Sequence, residues 1–395
     1  MNSSNQDGAS TLVPQRSRRA FDLPLLGRLL ILAALGACLP FAAGAKELVV
    51  TQVVALSGPQ APVGKNLSFG IKLYLDDLNA KGGVNGNTVR LVLKDDGYRV
   101  PDTVKLATES AAADKPIALV GPLGTANIEA LRPLISAEKL PIIGARSGAS
   151  SIANHPYIFR VKAAFKDETA KIIEQFTSIG FNNFGVVYQD DGLGKDGLQG
   201  VAAALDARKL KPVATSAYER NTVKVEGAVA DMLKANPQAI VLAGVVAPTA
   251  AFVKQYRAGG GKAQLVSIST IDVDLVIKQS GSEAARGFSV ALVMPNPVTS
   301  YLPVAREMRD LAKKAGAPAD AVNATSLEGY LTAKVLIEGL RRAGKDPSRE
   351  SLAKALETMD DYDTGGFRIS FGPGKHDGTR YVELGVVDGR GKLVE

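Results

Sequence analysis

Gly192-Leu193-Gly194-Lys195-Asp196-Gly197 has the G-x-G-x-x-G spacing that cradles a dinucleotide pyrophosphate, and Glu219 follows 22 residues on, where a ribose-binding acid belongs. Gln189-Asp190-Asp191 argues against that chemistry. It separates the strand end from the first glycine and puts two carboxylates where a pyrophosphate would dock. The stretch reads instead as a strand-to-helix turn. Hydrolytic chemistry lacks its parts as well, because the only two histidines, His155 and His376, sit in loop contexts and no G-x-S-x-G elbow occurs. Isolated histidines also make a nitrogen- or sulfur-ligand metal site improbable. The acid pairs Asp95-Asp96, Asp190-Asp191 and Asp360-Asp361 are adjacent, so their side chains diverge, and helix capping suits them better than paired acid/base work.

Three loops offer a different chemistry: Leu56-Ser57-Gly58-Pro59, Gly121-Pro122-Leu123-Gly124-Thr125 and Gly144-Ala145-Arg146-Ser147-Gly148-Ala149-Ser150. Each is rich in glycine and small residues, and hydroxyls or free backbone N–H groups at helix N-termini suit a carboxylate or another small anion. Arg146 adds a charge-assisted hydrogen bond. Ser57, Leu123, Thr125, Arg146, Ser147 and Gly148 are therefore candidate ligand contacts. Thr125 and Arg146 are expected in a solvated cleft, where alanine would weaken binding with little loss of stability.

These loops need a scaffold that presents them together. From Lys46 onward apolar strand-like runs alternate with helical patterns: Leu48 to Val54, then Leu67, Ile71, Tyr74, Leu75 and Leu78 at helical spacing, closed by Gly82-Gly83. The cycle repeats through strands at Val89–Leu93, Ile117–Val120 and Ile142–Ile143 and helices at Pro101–Ala113 and Asn127–Ala137. A second series begins after Phe159-Arg160-Val161 and runs to a strand at Leu265–Ile268, with a helix at Leu198–Arg208. Strands apolar on both faces and separated by helices argue for parallel sheets covered on both sides, an α/β fold whose ligands bind beyond the carboxyl ends of the strands. Two such sheets make two lobes with a cleft between them.

The chain has 395 residues and a net charge of +7, with its basic residues dispersed rather than clustered, so a nucleic-acid partner is not expected. Basic residues Arg16, Arg18 and Arg19 precede a charge-free run from Leu29 to Ala45 that is interrupted by Gly36, Pro40 and Gly44 and ends in Ala43-Gly44-Ala45. This order is that of a secretory signal peptide, residues 1–45, cleaved before Lys46, and the run is too short to span a bilayer. The Arg18-Arg19 pair resembles a twin-arginine export signal, and Leu35-Gly36-Ala37-Cys38 resembles a lipoprotein signal, so the export route and lipidation of Cys38 stay open. Removing the segment takes away four Arg and two Asp, leaving a net charge of +5 and no cysteine.

Leu56-Ser57-Gly58-Pro59, the block Asn79-Ala80-Lys81-Gly82-Gly83-Val84-Asn85-Gly86, Asp95-Asp96, Gly121-Pro122, Tyr188-Gln189-Asp190-Asp191 and Glu328-Gly329-Tyr330 together resemble the type I periplasmic solute-binding proteins of the branched-chain amino acid (Leu/Ile/Val-binding) family of ABC importers. The resemblance covers most of residues 47–388 and implies two Rossmann-like lobes joined by three hinge crossings, a Venus flytrap that closes on its ligand. It implies residues 46–161 plus about 295–360 in the first lobe and 162–294 plus about 361–395 in the second, with the first crossing near Phe159–Lys162, the second near Val293–Pro297 and the third between Met359 and Tyr381. Family members grip a carboxylate with first-lobe hydroxyls, matched by Thr125 and the Ser147-Gly148 position, and an ammonium with a second-lobe acid. At that acid's place this chain has Ser269, so an α-ammonium lacks a counter-charge unless Asp272 or Asp191 turns inward. Phe165 and Val245 are candidate apolar contacts. The resemblance thus implies a non-enzymatic, cofactor-free, monomeric periplasmic receptor that takes a small carboxylate-bearing solute, amino acid-like or an organic or aromatic acid, to a membrane permease. The alternative is a sensory protein of the same fold.

Overall fold

The computed structural model describes residues 46–153 and 155–395. The expected signal peptide, with Arg18, Arg19 and Cys38, lies outside the described residues. The first lobe begins with β1 (Glu47–Val54), α1 (Ala61–Ala80), β2 (Thr88–Asp95), α2 (Val100–Ala113), β3 (Ala118–Val120), α3 (Thr125–Ala130), α4 (Arg132–Ala137), β4 (Ile142–Ile143) and β5 (Ile158–Phe159). Its strands are parallel in the order β2-β1-β3-β4-β5. The β-branched run of β1 suits its interior place between β2 and β3, where Val50, Val53 and Val54 are buried. The helix expected over Asn127–Ala137 is two helices, broken at Leu131, because Pro133 has no N–H to continue the ladder.

The second lobe repeats the plan with α5 (Phe165–Ser178), β6 (Phe184–Gln189), α6 (Gly192–Asp206), β7 (Ala214–Tyr218), α7 (Glu226–Ala235), β8 (Ala239–Ala243), α8 (Val246–Ala258), β9 (Gln264–Ser267), α9 (Val273–Ser280), α10 (Ser282–Ala285) and β10 (Ser289–Leu292). The chain then returns to the first lobe as α11 (Pro303–Lys314), α12 (Ala324–Ala343), α13 (Arg349–Glu357), β11 (Tyr362–Asp363) and β12 (Arg368–Ile369), before β13 (Glu383–Val387) and β14 (Leu393–Val394) complete the second sheet. That sheet has the order β14-β13-β10-β9-β8-β6-β7, parallel except for β13 and β14.

One domain boundary differs from the sequence expectation of a second lobe resuming at about 361. Phe367, Ile369 and Phe371 are buried in the first lobe's core with Phe159 and Leu356, so the chain returns to the second lobe only between β12 and β13. The first and third crossings run side by side. Arg160 N–H donates to the His376 carbonyl at 2.9 Å, Gly378 N–H donates to the Arg160 carbonyl at 2.8 Å, and the Arg160 side chain holds Asp377. The second lobe's apolar core continues across to Val54, Val63, Tyr98 and Leu123 of the first, so the lobes are closed on one another.

Candidate functional site

The carboxyl ends of β3 and β4 carry the first lobe's polar contribution. Leu123 and Arg146 form a parallel bridge, which sets the two loops side by side and brings the Thr125 and Ser147 hydroxyls to 2.7 Å from each other. Both hydroxyls are buried, as is Arg146. The guanidinium forms an ion pair with Glu328 of α12 and approaches the Thr325 hydroxyl at 3.4 Å. Yet Arg146 Nε and Glu328 Oε1 are buried without any hydrogen-bond partner, although the two side chains are only 5% and 1% exposed. Buried polar atoms are almost always satisfied, and in this pair one donor and one acceptor are not.

The second lobe meets these loops with a buried triad. Lys162 Nζ donates to the Ser269 hydroxyl at 2.5 Å and lies 3.3 Å from Glu168. Glu168 in turn accepts the Ser269 N–H at 2.7 Å and hydroxyl at 2.8 Å. Asp272, the N-cap of α9, accepts from Asn66 of α1 across the lobe boundary at 3.2 Å. Burial pushes its carboxyl above the usual carboxylate range, opposed by its bond to Leu275 N–H and by the charge of Arg146. Arg220 closes the far side: it donates to Asp191 at 3.0 Å within its own lobe and to the Tyr98 carbonyl (3.0 Å) and Asn127 Oδ1 (2.7 Å) across the boundary. Its guanidinium also covers the Tyr98 ring at 4.3 Å. Burial holds the Tyr98 phenol up at about 12, so it stays neutral.

Free space is distributed unevenly around Arg146. On the side lined by Gln60, Tyr98, Leu123, Lys162, Val245 and Thr270 it amounts to about 10 Å³, scarcely one water. On the other side a cavity of about 380 Å³ lies between the N-terminus of α9, the second crossing and the N-terminus of α12. That is the size of a small-molecule site. Both lobes contribute to it, through Arg146 and Glu328 from one and Ser269 and Asp272 from the other.

The sequence profile that describes the periplasmic binding proteins matches residues 48–392. The chain belongs to the periplasmic binding protein family. It is of type I, in the branched-chain amino acid branch, whose members are solute-binding proteins rather than enzymes. It is similar to a substrate-binding periplasmic protein from Ralstonia solanacearum, with 42% identity and a TM-score of 0.84 over 88% of this chain and 99% of that one. A possible leucine/isoleucine/valine-binding protein from Rhodopirellula baltica also superposes, with 27% identity and a TM-score of 0.84 over 89% of this chain and 97% of that one. Among curated proteins, Leu/Ile/Val-binding protein homolog 7 of Brucella melitensis is 22% identical over 84% of this chain and 86% of its own. Among the described residues no helix of this binding protein is long and apolar enough to cross a membrane.

The structure of this periplasmic binding protein sorts the residues that the sequence nominated. Leu123, Arg146, Val245 and Ser269 line the small space beside Arg146, and Arg146, Ser269 and Asp272 line the large cavity. Thr125 and Arg146 are buried, not solvated as expected, because the lobes are closed and Arg146 is locked to Glu328. Ser57 is exposed, its N–H turned to Asp95 at 3.1 Å, and it lines neither space. Gly148 serves close packing, since a Cβ there would lie 2.6 Å from the backbone nitrogen of Phe165, and Phe165 is buried against it in the apolar core. Asp191 is also spent: it caps α6 through Leu193 and Gly194 N–H and takes the Arg220 and Gln189 side chains. The glycine motif that opened the sequence is thus the first turns of α6, with its N-cap acid where a pyrophosphate would need to sit.

Glu168, Glu328, Lys162 and Arg220 were not nominated. Glu328 stood in the family-matching Glu-Gly-Tyr stretch, but its pairing with a residue 182 positions away has no local signal. Lys162 stood at the expected first crossing, where a charged residue reads as an exposed one by default.

Proposed function

We propose that this periplasmic binding protein is the extracytoplasmic receptor of an ABC importer, exported by its N-terminal segment, which captures a small carboxylate-bearing solute between its lobes and hands it to a permease in the cytoplasmic membrane. Arg146 carries the reading. It is a buried cation at the lobe boundary that lines the cavity, and a carboxylate is the ligand group that a guanidinium edge holds best. The cavity beside it is bounded by both lobes and by a hinge crossing, so an occupant touches every moving part and stabilises closure. The Leu/Ile/Val-binding names among the relatives fit a carboxylate at one end of the solute.

Native mass spectrometry of freshly purified protein, followed by titration calorimetry with a panel of carboxylates and their matched primary alcohols, tests this. A carboxylate that binds in the micromolar range or tighter, while its alcohol does not, is the expected result. Alcohols binding as well as acids would remove Arg146 from the ligand and the reading with it.

A further inference from the structure

The 380 Å³ cavity stays open to solvent although the lobes are closed. Its floor is buried: Arg146, Ser269, Asp272 and Glu328 are exposed by 6, 7, 6 and 1%. Its rim is not, because Asp274, Val298, Thr299 and Lys392 line the same space and are all exposed, Val298 by 61%. A space that runs from a buried floor to an exposed rim has a mouth, and this one lies beside the second crossing, which supplies Val298 and Thr299.

Charge is confined to the two ends. Glu328 is paired with Arg146 in the floor, and Asp272 accepts there from Asn66 and from Leu275 N–H. Asp274 and Lys392 stand at the rim. The remaining walls are largely apolar: Ile271, Leu292 and Met294 are buried, and Val273, Val322 and Leu393 are half-buried. With a guanidinium and an acid both in the floor, a carboxylate head fits with or without an amine, so the floor leaves that choice open and the walls decide the body. Apolar surface also continues past the mouth. Among the described residues, Val298 and Tyr301 of the second crossing are large apolar side chains left in water, Tyr301 by 88%, and Val394, 40% exposed, follows the lining residue Leu393.

We infer that the cavity takes a carboxylate with an extended apolar tail, and that the tail leaves through the mouth beside Val298 and Thr299 while the lobes stay closed. This rests on the receptor reading above and adds the shape of the solute: its length is not capped by the size of the cavity. In a sealed compartment each methylene adds affinity until the space is full, and the next one overpacks it or holds the lobes apart. In an open-ended one affinity climbs while methylenes are being buried and then levels off, because further ones stay in water before and after binding.

Calorimetry on the purified protein with straight-chain acids from butanoate to tetradecanoate, run as plain acids and again as their 2-amino counterparts, tests this. In whichever series binds, affinity is expected to rise roughly fourfold per methylene, the worth of one buried CH2, and then to hold constant to the longest acid. A fall of about tenfold or more beyond an optimum length overturns the inference, and so does a series that is flat from butanoate onward. 11-(Dansylamino)undecanoate, which carries a bulky ring system at the far end of its chain, should bind within about threefold of undecanoate, and a loss of about a hundredfold overturns the open mouth. Thr299→Trp, at an exposed rim position, narrows the mouth and should cost the dansyl acid at least about tenfold more affinity than it costs hexanoate; equal losses overturn the exit beside the second crossing. Short acids that bind while long ones do not refute this inference and leave the receptor reading standing, whereas no binding in either series refutes both.

Discussion

Arg146 and Glu328 show how a binding residue can double as a structural one. With side chains 5% and 1% exposed, neither charge is affordable without the other, because a buried ion left alone costs several kcal/mol. Arg146→Met is therefore expected to destabilise by about 3–5 kcal/mol, the range for breaking a buried pair from one side. The double variant Arg146→Met, Glu328→Gln should recover most of that loss while still failing to bind carboxylates. Denaturant titrations of the single and double variants check this, and a single variant as stable as the parent would mean that Glu328 is not charged in the fold. Arg146 was legible in the sequence as the one basic residue in a glycine- and serine-rich loop after a strand. Glu328 was legible only as part of a family-matching stretch, because nothing local to Glu-Gly-Tyr says that it will meet an arginine from the opposite end of the lobe. Asp191 shows the reverse: its acid was legible, but its occupation by a helix N-terminus and by Arg220 was not.

At the scale of elements, α1 and α12 form the spine on which Glu328 is mounted, and their contact depends on two glycines. A Cβ on Gly70 would fall 1.8 Å from the Ser326 carbonyl oxygen, and one on Gly329 would fall 2.1 Å from the Leu67 carbonyl oxygen. Backbone lies on both sides, so neither clash is relieved by turning a side chain. Gly70→Ala and Gly329→Ala are expected to destabilise by about 1–3 kcal/mol or more, the usual cost of overpacking, and to weaken ligand binding as α12 shifts. Gly227→Ala is the control: an added methyl meets nothing within 4 Å in helix α7, and should be near neutral. Melting temperatures of the three variants separate the cases, and equal values for all three would deny the close approach. Most of the helices and parallel strands were legible because period 3.6 and doubly apolar runs are local properties, though α9, β10 and α13 were not read. β13 and β14 were not, since Glu383–Val387 is half-exposed, contains Gly385 and becomes a strand only by pairing antiparallel with β10, far away in the chain. The break at Leu131 follows from Pro133, a signal available in the sequence but outweighed there by the apolar spacing around it.

At the scale of the molecule, two lobes followed from repeated α/β patterning and their crossings from the family resemblance, but the closed arrangement and what latches it depend on residues that no pattern connects. Arg220 is the charged part of that latch, beside the Asn66–Asp272 and Ser150–Asp196 bonds. From the second lobe it donates to the Tyr98 carbonyl and to Asn127 of the first, at 3.0 and 2.7 Å, with its plane over the Tyr98 ring. Removing it leaves the second lobe intact, because Asp191 keeps Gln189 and two N–H groups of α6 as partners. Charged hydrogen bonds of this kind are worth roughly 1.5–3 kcal/mol each, and they exist only when the lobes are shut. Arg220→Ala should therefore move unliganded protein towards an open form without unfolding it. Its radius of gyration by small-angle scattering should rise, and saturating ligand should bring it back to the parental value. Ligand affinity should fall by about tenfold or more, because binding must now supply the closing free energy that Arg220 supplied, and since the latch does not touch the cavity the loss should be the same for every ligand that the parent binds. A variant whose scattering matches the parent with and without ligand would place the closing force elsewhere, in the apolar contacts of Val54, Val63 and Leu123 with the second lobe's core.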